Sequence, residues 1–192
     1  MKRFEIALSV ILFLALGFAF GCDNDEKSKA QELTIPFTNT FEGSLQFSPI
    51  DTNQDGVGSL ATIKLGKSPE LGNNTNHAIG ETVISDPVVT CTTPLGNPGT
   101  IANIISGAEV LITDTGSLQS IRSGGTVCRG DPPDDSFSFN FTSNIVGGTG
   151  EFEGASGNYT ASGEGSVLLV DPSSRSFGFI EGITTGTIEI NQ

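Results

Sequence analysis

The chain has no tryptophan, one tyrosine, one histidine and one methionine, and it sets only 9 lysines and arginines against 22 aspartates and glutamates in 192 residues. So few bases, at a net charge of −13, leave no basic patch for nucleic acid and no electrostatic pull toward anionic headgroups. A single histidine and no Cys-x-x-Cys spacing argue against a zinc or redox centre. That histidine, His77, stands among Asn73, Asn74 and Asn76 and reads as a solvated loop residue. There is no Gly-x-Ser-x-Gly elbow to pair it with a nucleophile, so no catalytic residue is assigned. Without tryptophan, and with one tyrosine, the aromatic girdles of an outer-membrane barrel have no source. Outside the first twenty residues no window has a helical period, and 25 glycines among many Ser and Thr weigh against helix.

What is present begins with an address. Met1-Lys2-Arg3 is a short basic start, Ile6 to Phe20 is almost wholly apolar, and Gly21 precedes Cys22. This is the layout of a secretory signal peptide and is short for a membrane-spanning helix. It resembles the bacterial lipoprotein signal, in which a cysteine is acylated and becomes the new N-terminus. Simple cleavage near Gly17-Phe18-Ala19, with Cys22 a free thiol, is the other reading. The first gives residues 1–21 as signal peptide, Cys22 as the lipid-attachment site, 22–32 as a polar tether and 33–192 as one domain. The protein is then expected at a bacterial envelope membrane, its domain facing the periplasm or the exterior. Loss of Lys2, Arg3 and Glu5 makes the balance one unit more negative, so attachment rests on lipid and not on charge. With Cys22 spoken for, Cys91 and Cys128 remain as a disulfide in an oxidising compartment, or as two buried thiols.

Strand signals run through the remainder. Leu33, Ile35, Phe37, Phe41, Leu45 and Phe47 alternate with Thr34, Thr38, Thr40, Glu42, Ser44 and Gln46. Asn39 and Gly43 fall on the apolar side, and Pro36 marks an edge or a strand start. Further strands are expected at Ala61-Ile63-Leu65, 78–85, 88–92, 108–113, 118–128, around Phe137, Phe139, Phe141 and Ile145, and at 159–170 and 176–190. Regular short strands between Gly, Pro and Asn turns mean an all-β, antiparallel sandwich or barrel. The expected section is apolar inside, with Ser, Thr, Asn and acids outside.

The run Gly147-Gly148-Thr149-Gly150-Glu151-Phe152-Glu153-Gly154-Ala155-Ser156-Gly157 sets five glycines around one phenylalanine. It predicts a tight strand connection with positive φ and an inward aromatic plug. No P-loop lysine accompanies it. The run resembles the allene oxide cyclase and dirigent barrels, matching their glycine-rich segment at Gly147, Gly148, Thr149, Gly150, Phe152, Gly154, Ala155 and Gly157. The resemblance implies an eight-stranded antiparallel barrel of calycin-like shape and carries over no catalytic residue.

Asp51-Thr52-Asn53-Gln54-Asp55-Gly56 fits the opening of a calcium loop through Asp51, Asn53 and Asp55, although Thr62 stands where the closing glutamate would fall. The same residues make a plain β-turn. Calcium is the one cofactor the sequence suggests. Phe37, Phe41, Phe139, Phe141 and Tyr159 either fill the barrel or line a cavity for a small apolar ligand. The leading function is therefore non-enzymatic binding of such a ligand, or of a protein partner, at the envelope. An isomerase or cyclase acting in the barrel, and a calcium-stabilised surface module, are the alternatives.

Overall fold

The computed structural model describes residues 32–48, 57, 59–170 and 176–191. Cys22 and the Asp51, Asn53 and Asp55 turn lie outside the described residues. Within them are nine strands: β1 (Glu32–Ser48), β2 (Ser59–Ser68), β3 (Gly72–Ile84), β4 (Thr90–Thr92), β5 (Pro98–Thr113), β6 (Gly116–Gly130), β7 (Ser136–Gly150), β8 (Ser156–Val170) and β9 (Ser176–Asn191). All pairings are antiparallel, in the order β3-β2-β1-β9-β8-β7-β6-β5-β4, and a β3–β5 pairing closes eight of the strands into a barrel. The ninth, β4, adds three residues to the end of β5 that β3 does not reach. The all-β antiparallel barrel expected from the sequence is the fold.

β1 follows its alternation closely. Phe37, Phe41 and Leu45 are core, and Asn39 is buried with them. Gly43 is required because a Cβ there would stand 2.1 Å from the Ile63 carbonyl oxygen. Residues 32–39 pair with β9 alone, β2 joining only from Thr40, so Pro36 occupies a stretch with one free side, where its missing donor is tolerated.

The barrel has two different ends. At the end where β7 turns into β8, Gly150, Gly154 and Gly157 adopt φ of 63°, 74° and 129°, so the chain doubles back and Phe152 points into the core. Gly116 and Gly148 admit that ring, since a Cβ would lie 3.2 and 2.8 Å from Phe152 atoms. Leu71, Leu118, Ile145 and Ile188 belong with Phe152 to the buried hydrophobic core. Phe152→Ala is expected to cost about 3–5 kcal/mol, read by urea denaturation. A loss under about 1 kcal/mol would mean that this end is not sealed by the ring.

The opposite end is tied down by polar and covalent links. Cys91 on β4 and Cys128 on β6 form a disulfide. The Asp134 carboxylate accepts from the Ser136 hydroxyl, the Thr93 hydroxyl, the Ser136 backbone N–H and the Asn97 side chain. These bonds, led by Ser136, hold it well below the usual carboxylate range against the opposing effect of burial.

Two expectations are corrected. Inside-apolar, outside-polar fails on β2, β3, β5 and β6. Ala61, Ile63 and Leu65 face outward, the last two 53% and 62% exposed, as do Ile79, Val110, Ile112 and Ile121. Thr62, Lys64, Asn74, Asn76, Glu109, Ser120 and Arg122 are buried there beside the apolar Ala78, Ile104, Leu111, Leu118 and Val127. The register aligns Ala61, Ile79, Ala108 and Ile121 in one row and Ile63, His77 and Val110 in the next, giving an aliphatic outer face. Acids gather elsewhere, with exposed Glu42, Glu181 and Glu164 side by side across β1, β9 and β8. The second correction concerns His77, which lies exposed on a strand and not in a loop, because β3 pairs from its first residues with β2 and β5.

Candidate functional site

Three of the four neighbouring strands β2, β3, β5 and β6 each send one charged side chain inward to a shared cluster: Lys64 from β2, Glu109 from β5 and Arg122 from β6, and β3 between the first two adds Asn76. Lys64 Nζ donates to Glu109 Oε2 at 3.2 Å, and Arg122 Nη2 stands 3.7 Å from the same oxygen. Tyr159 donates to Oε1 at 2.9 Å, and Asn76 Nδ2 donates to the same oxygen. The tyrosine oxygen also shares a 2.6 Å hydrogen bond with Ser120 Oγ. Next to this cluster, Asn39 and Asn74 bond each other at 2.8 Å.

Aromatic faces hold the two cations. Lys64 Nζ lies 4.7 Å from the Phe41 ring centre, and the Arg122 guanidinium carbon lies 4.4 Å from that of Phe141. Gly80 and Gly107 leave room for the arginine, since a Cβ would come 2.5 Å from Arg122 Nη1 and 2.6 Å from its Cδ.

The charges share one carboxylate unequally. Burial pushes Glu109 up, but Lys64, Arg122 and the hydrogen bonds from Asn76 and Tyr159 outweigh it and hold the carboxyl below its usual range. Lys64 has a single carboxylate partner and the repulsion of Arg122, so burial prevails and brings it below 10.5. Burial, then Glu109, raises Tyr159, which stays a neutral donor.

Toward the barrel mouth the lining becomes apolar. A chamber of about 30 Å³ is bounded by Thr62, Lys64, Arg122, Phe139 and Phe141 with aliphatic neighbours. Three of its wall residues, Phe47, Val127 and Phe137, also line a larger cavity of about 350 Å³ at the mouth. Ile84, Ala102 and Val167 add apolar wall there, and Arg129 and Asp131 give it a charged border.

The five aromatic residues expected to line a ligand site are therefore divided. Phe139 and Phe141 reach the inner chamber, while Phe41 serves as the bed for Lys64. Phe37 and Tyr159 pack edge to face, 6.2 Å apart, near the plugged end. All five are buried core. Sequence reasoning missed Lys64, Glu109, Arg122 and Asn76. The signal that could have found them was one charge centred in each of three β-rich stretches, Ile63-Lys64-Leu65, Ala108-Glu109-Val110 and Ile121-Arg122-Ser123, in a chain with so few bases.

No protein-family model matches the chain. No curated protein matches it either. Among solved structures it is similar to a pterocarpan synthase dirigent protein, at 12% identity and a TM-score of 0.39, over 84% of this chain and 88% of that one. A likeness of that degree carries no statement about residues or chemistry.

Proposed function

We propose that the barrel binds a small apolar molecule through its mouth, and that the chain is held at a bacterial envelope membrane by lipid on Cys22. The observation that carries the first part is the mouth cavity of about 350 Å³, walled by Phe47, Ile84, Ala102, Val127, Phe137 and Val167. Its size and apolar lining with a few polar groups are those of a small-molecule site. The same barrel is plugged by Phe152 at its other end, so a ligand has one way in. Native mass spectrometry of the protein purified from its host is expected to show a bound small molecule that is lost in Ala102→Trp, whose indole fills the cavity. Bare protein masses for both chains would overturn the reading.

The anchor is supported by the apolar run and small residue before Cys22 and by the pairing of Cys91 with Cys128, which leaves Cys22 as the third cysteine. Cys22→Ser is expected to release a folded barrel from the membrane fraction. A variant that still sediments with membranes would rule the lipid out.

A second reading, isomerisation or cyclisation of an apolar substrate, draws on the Lys64, Glu109 and Tyr159 cluster. Of these only Lys64 lines the chamber, so a proton carrier in contact with substrate would be Lys64.

A further inference from the structure

With Lys64 protonated, the polar cluster has one more cation than anion. Lys64 and Arg122 face Glu109 alone, and the two neutral partners of that carboxylate, Asn76 and Tyr159, are donors to it. A buried charge without a counter-charge is strongly unfavourable, and buried polar atoms are almost always hydrogen-bonded. Two side chains on the chamber wall depart from that rule. Thr62 Oγ1 and Arg122 Nε are more than nine-tenths buried and have no hydrogen-bond partner. Both residues line the same chamber of about 30 Å³, with Lys64 beside them.

We infer that this inner chamber is a subsite for one compact anionic group of the carboxylate class, held by Arg122, Lys64 and Thr62. The group is either the head of the molecule whose body fills the mouth cavity or a free small anion. In the first case the inference rests on the proposed function and deepens it, making the ligand an apolar molecule with a single anionic end. The size fits, because a site for one water needs roughly 10–15 Å³ by the same measure, and the chamber has room for two or three such atoms. The sign fits as well. A cation would face two cations, and a neutral hydroxyl would satisfy the donors but leave the charge. Phe47, Val127 and Phe137, common to both spaces, place the apolar body next to the charged head.

The subsite is also coupled to the protonation of Lys64. The charged groups that face Lys64 are Glu109 from β5 and Arg122 from β6, with the Tyr159 hydroxyl from β8 on the other oxygen of Glu109. Burial favours the neutral amine, and an anion in the chamber favours the ammonium. An anion bound there therefore raises the Lys64 pKa toward its ordinary value, and binding draws a proton only at a pH where the free amine is partly neutral.

The test titrates the full chain with decanoate and with decanol by calorimetry in two buffers of different ionisation enthalpy, and separately with ¹³C-formate followed by its NMR line width. Decanoate is expected to bind at least about tenfold more tightly than decanol. It should displace formate and lose its advantage in Lys64→Met and Arg122→Gln. If formate binds while decanoate and decanol are equal, the occupant is a free anion. If formate fails and the two decyl probes bind equally, the subsite is overturned and the apolar cavity stands. If no probe binds, both readings fall. A decanoate preference unchanged in both Lys64→Met and Arg122→Gln would put the head at Arg129 on the mouth and overturn the inference. Displacement of formate by decanoate and not by decanol, read on the unaltered chain, decides the matter even where a variant fails to fold.

Discussion

Glu109→Gln is expected to destabilise the barrel by about 3–5 kcal/mol, because it leaves Lys64 and Arg122 buried with no carboxylate between them. For a domain of this size that is a fall in melting temperature on the order of 10 °C, and a large share of a typical total stability of about 5–15 kcal/mol. The substitution preserves shape and the capacity to accept from Tyr159 and Asn76, so the loss reports charge and not volume. Replacing the group together, as Glu109→Leu with Lys64→Met and Arg122→Met, should recover most of it, since apolar side chains of similar bulk have no desolvation penalty to offset. Urea denaturation of the single and triple variants checks both statements. A single variant within about 1 kcal/mol of the parent would show that the cations do not depend on this carboxylate.

The same residue gives an acid limb. The Glu109 carboxyl lies lower in the folded chain than in the unfolded one, so its contribution is complete above the ordinary carboxylate range and is lost as pH falls through its folded value. The Gln variant should be flatter there. Lys64 acts at the other extreme. Its folded value is below 10.5, so the unfolded chain binds more protons over the interval between the two, and stability rises with pH across it.

Removing the disulfide, as Cys91→Ser with Cys128→Ser, is expected to cost roughly 4 kcal/mol on the chain-entropy account of a loop with sequence separation 37. The effect acts largely on the unfolded chain, so reductant added to the unaltered protein should lower the denaturation midpoint by the same amount. There is a local consequence too. β4 is three residues long and pairs only with the tip of β5, so the disulfide is its one covalent hold on β6. Hydrogen exchange at Thr90–Thr92 should rise in the variant more than exchange in β7. Equal stability of the two chains would contradict the account.

Much of the fold was legible. β1, the Phe137-Phe139-Phe141 stretch and the Phe152 turn were readable because their large apolar side chains all point the same way, and only one side of each strand has the volume to fill a core. The cysteine pair followed from counting. The inward charges were not legible, because an alternation of period two says that two faces differ and not which of them is inside. On β2, β3, β5 and β6 the choice is made by the neighbours. β1 and β7 commit their phenylalanines to the interior, and hydrogen-bond register then fixes Lys64 opposite Asn76, and Glu109 in turn beside Ser120. The start of β3, rich in asparagine, and the first half of β5 have weak strand character of their own. They are strands because barrel closure needs partners at both positions.

That arrangement has a cost during folding. A slip of one residue along β2, β3 and β5 would turn Ile63, Leu65, Ile79, Val110 and Ile112 inward and send Lys64, Asn76 and Glu109 to solvent. For those strands alone the slipped pairing hides more hydrocarbon than the native one, so the local preference of the sequence and its global fold disagree. The decision is made by a covalent pin, the Cys91–Cys128 bond, which holds β4, and with it the end of β5, against β6. A chain that reaches its oxidising compartment with those thiols still reduced meets its strongest competitor there, a barrel with the right strands in the wrong frame.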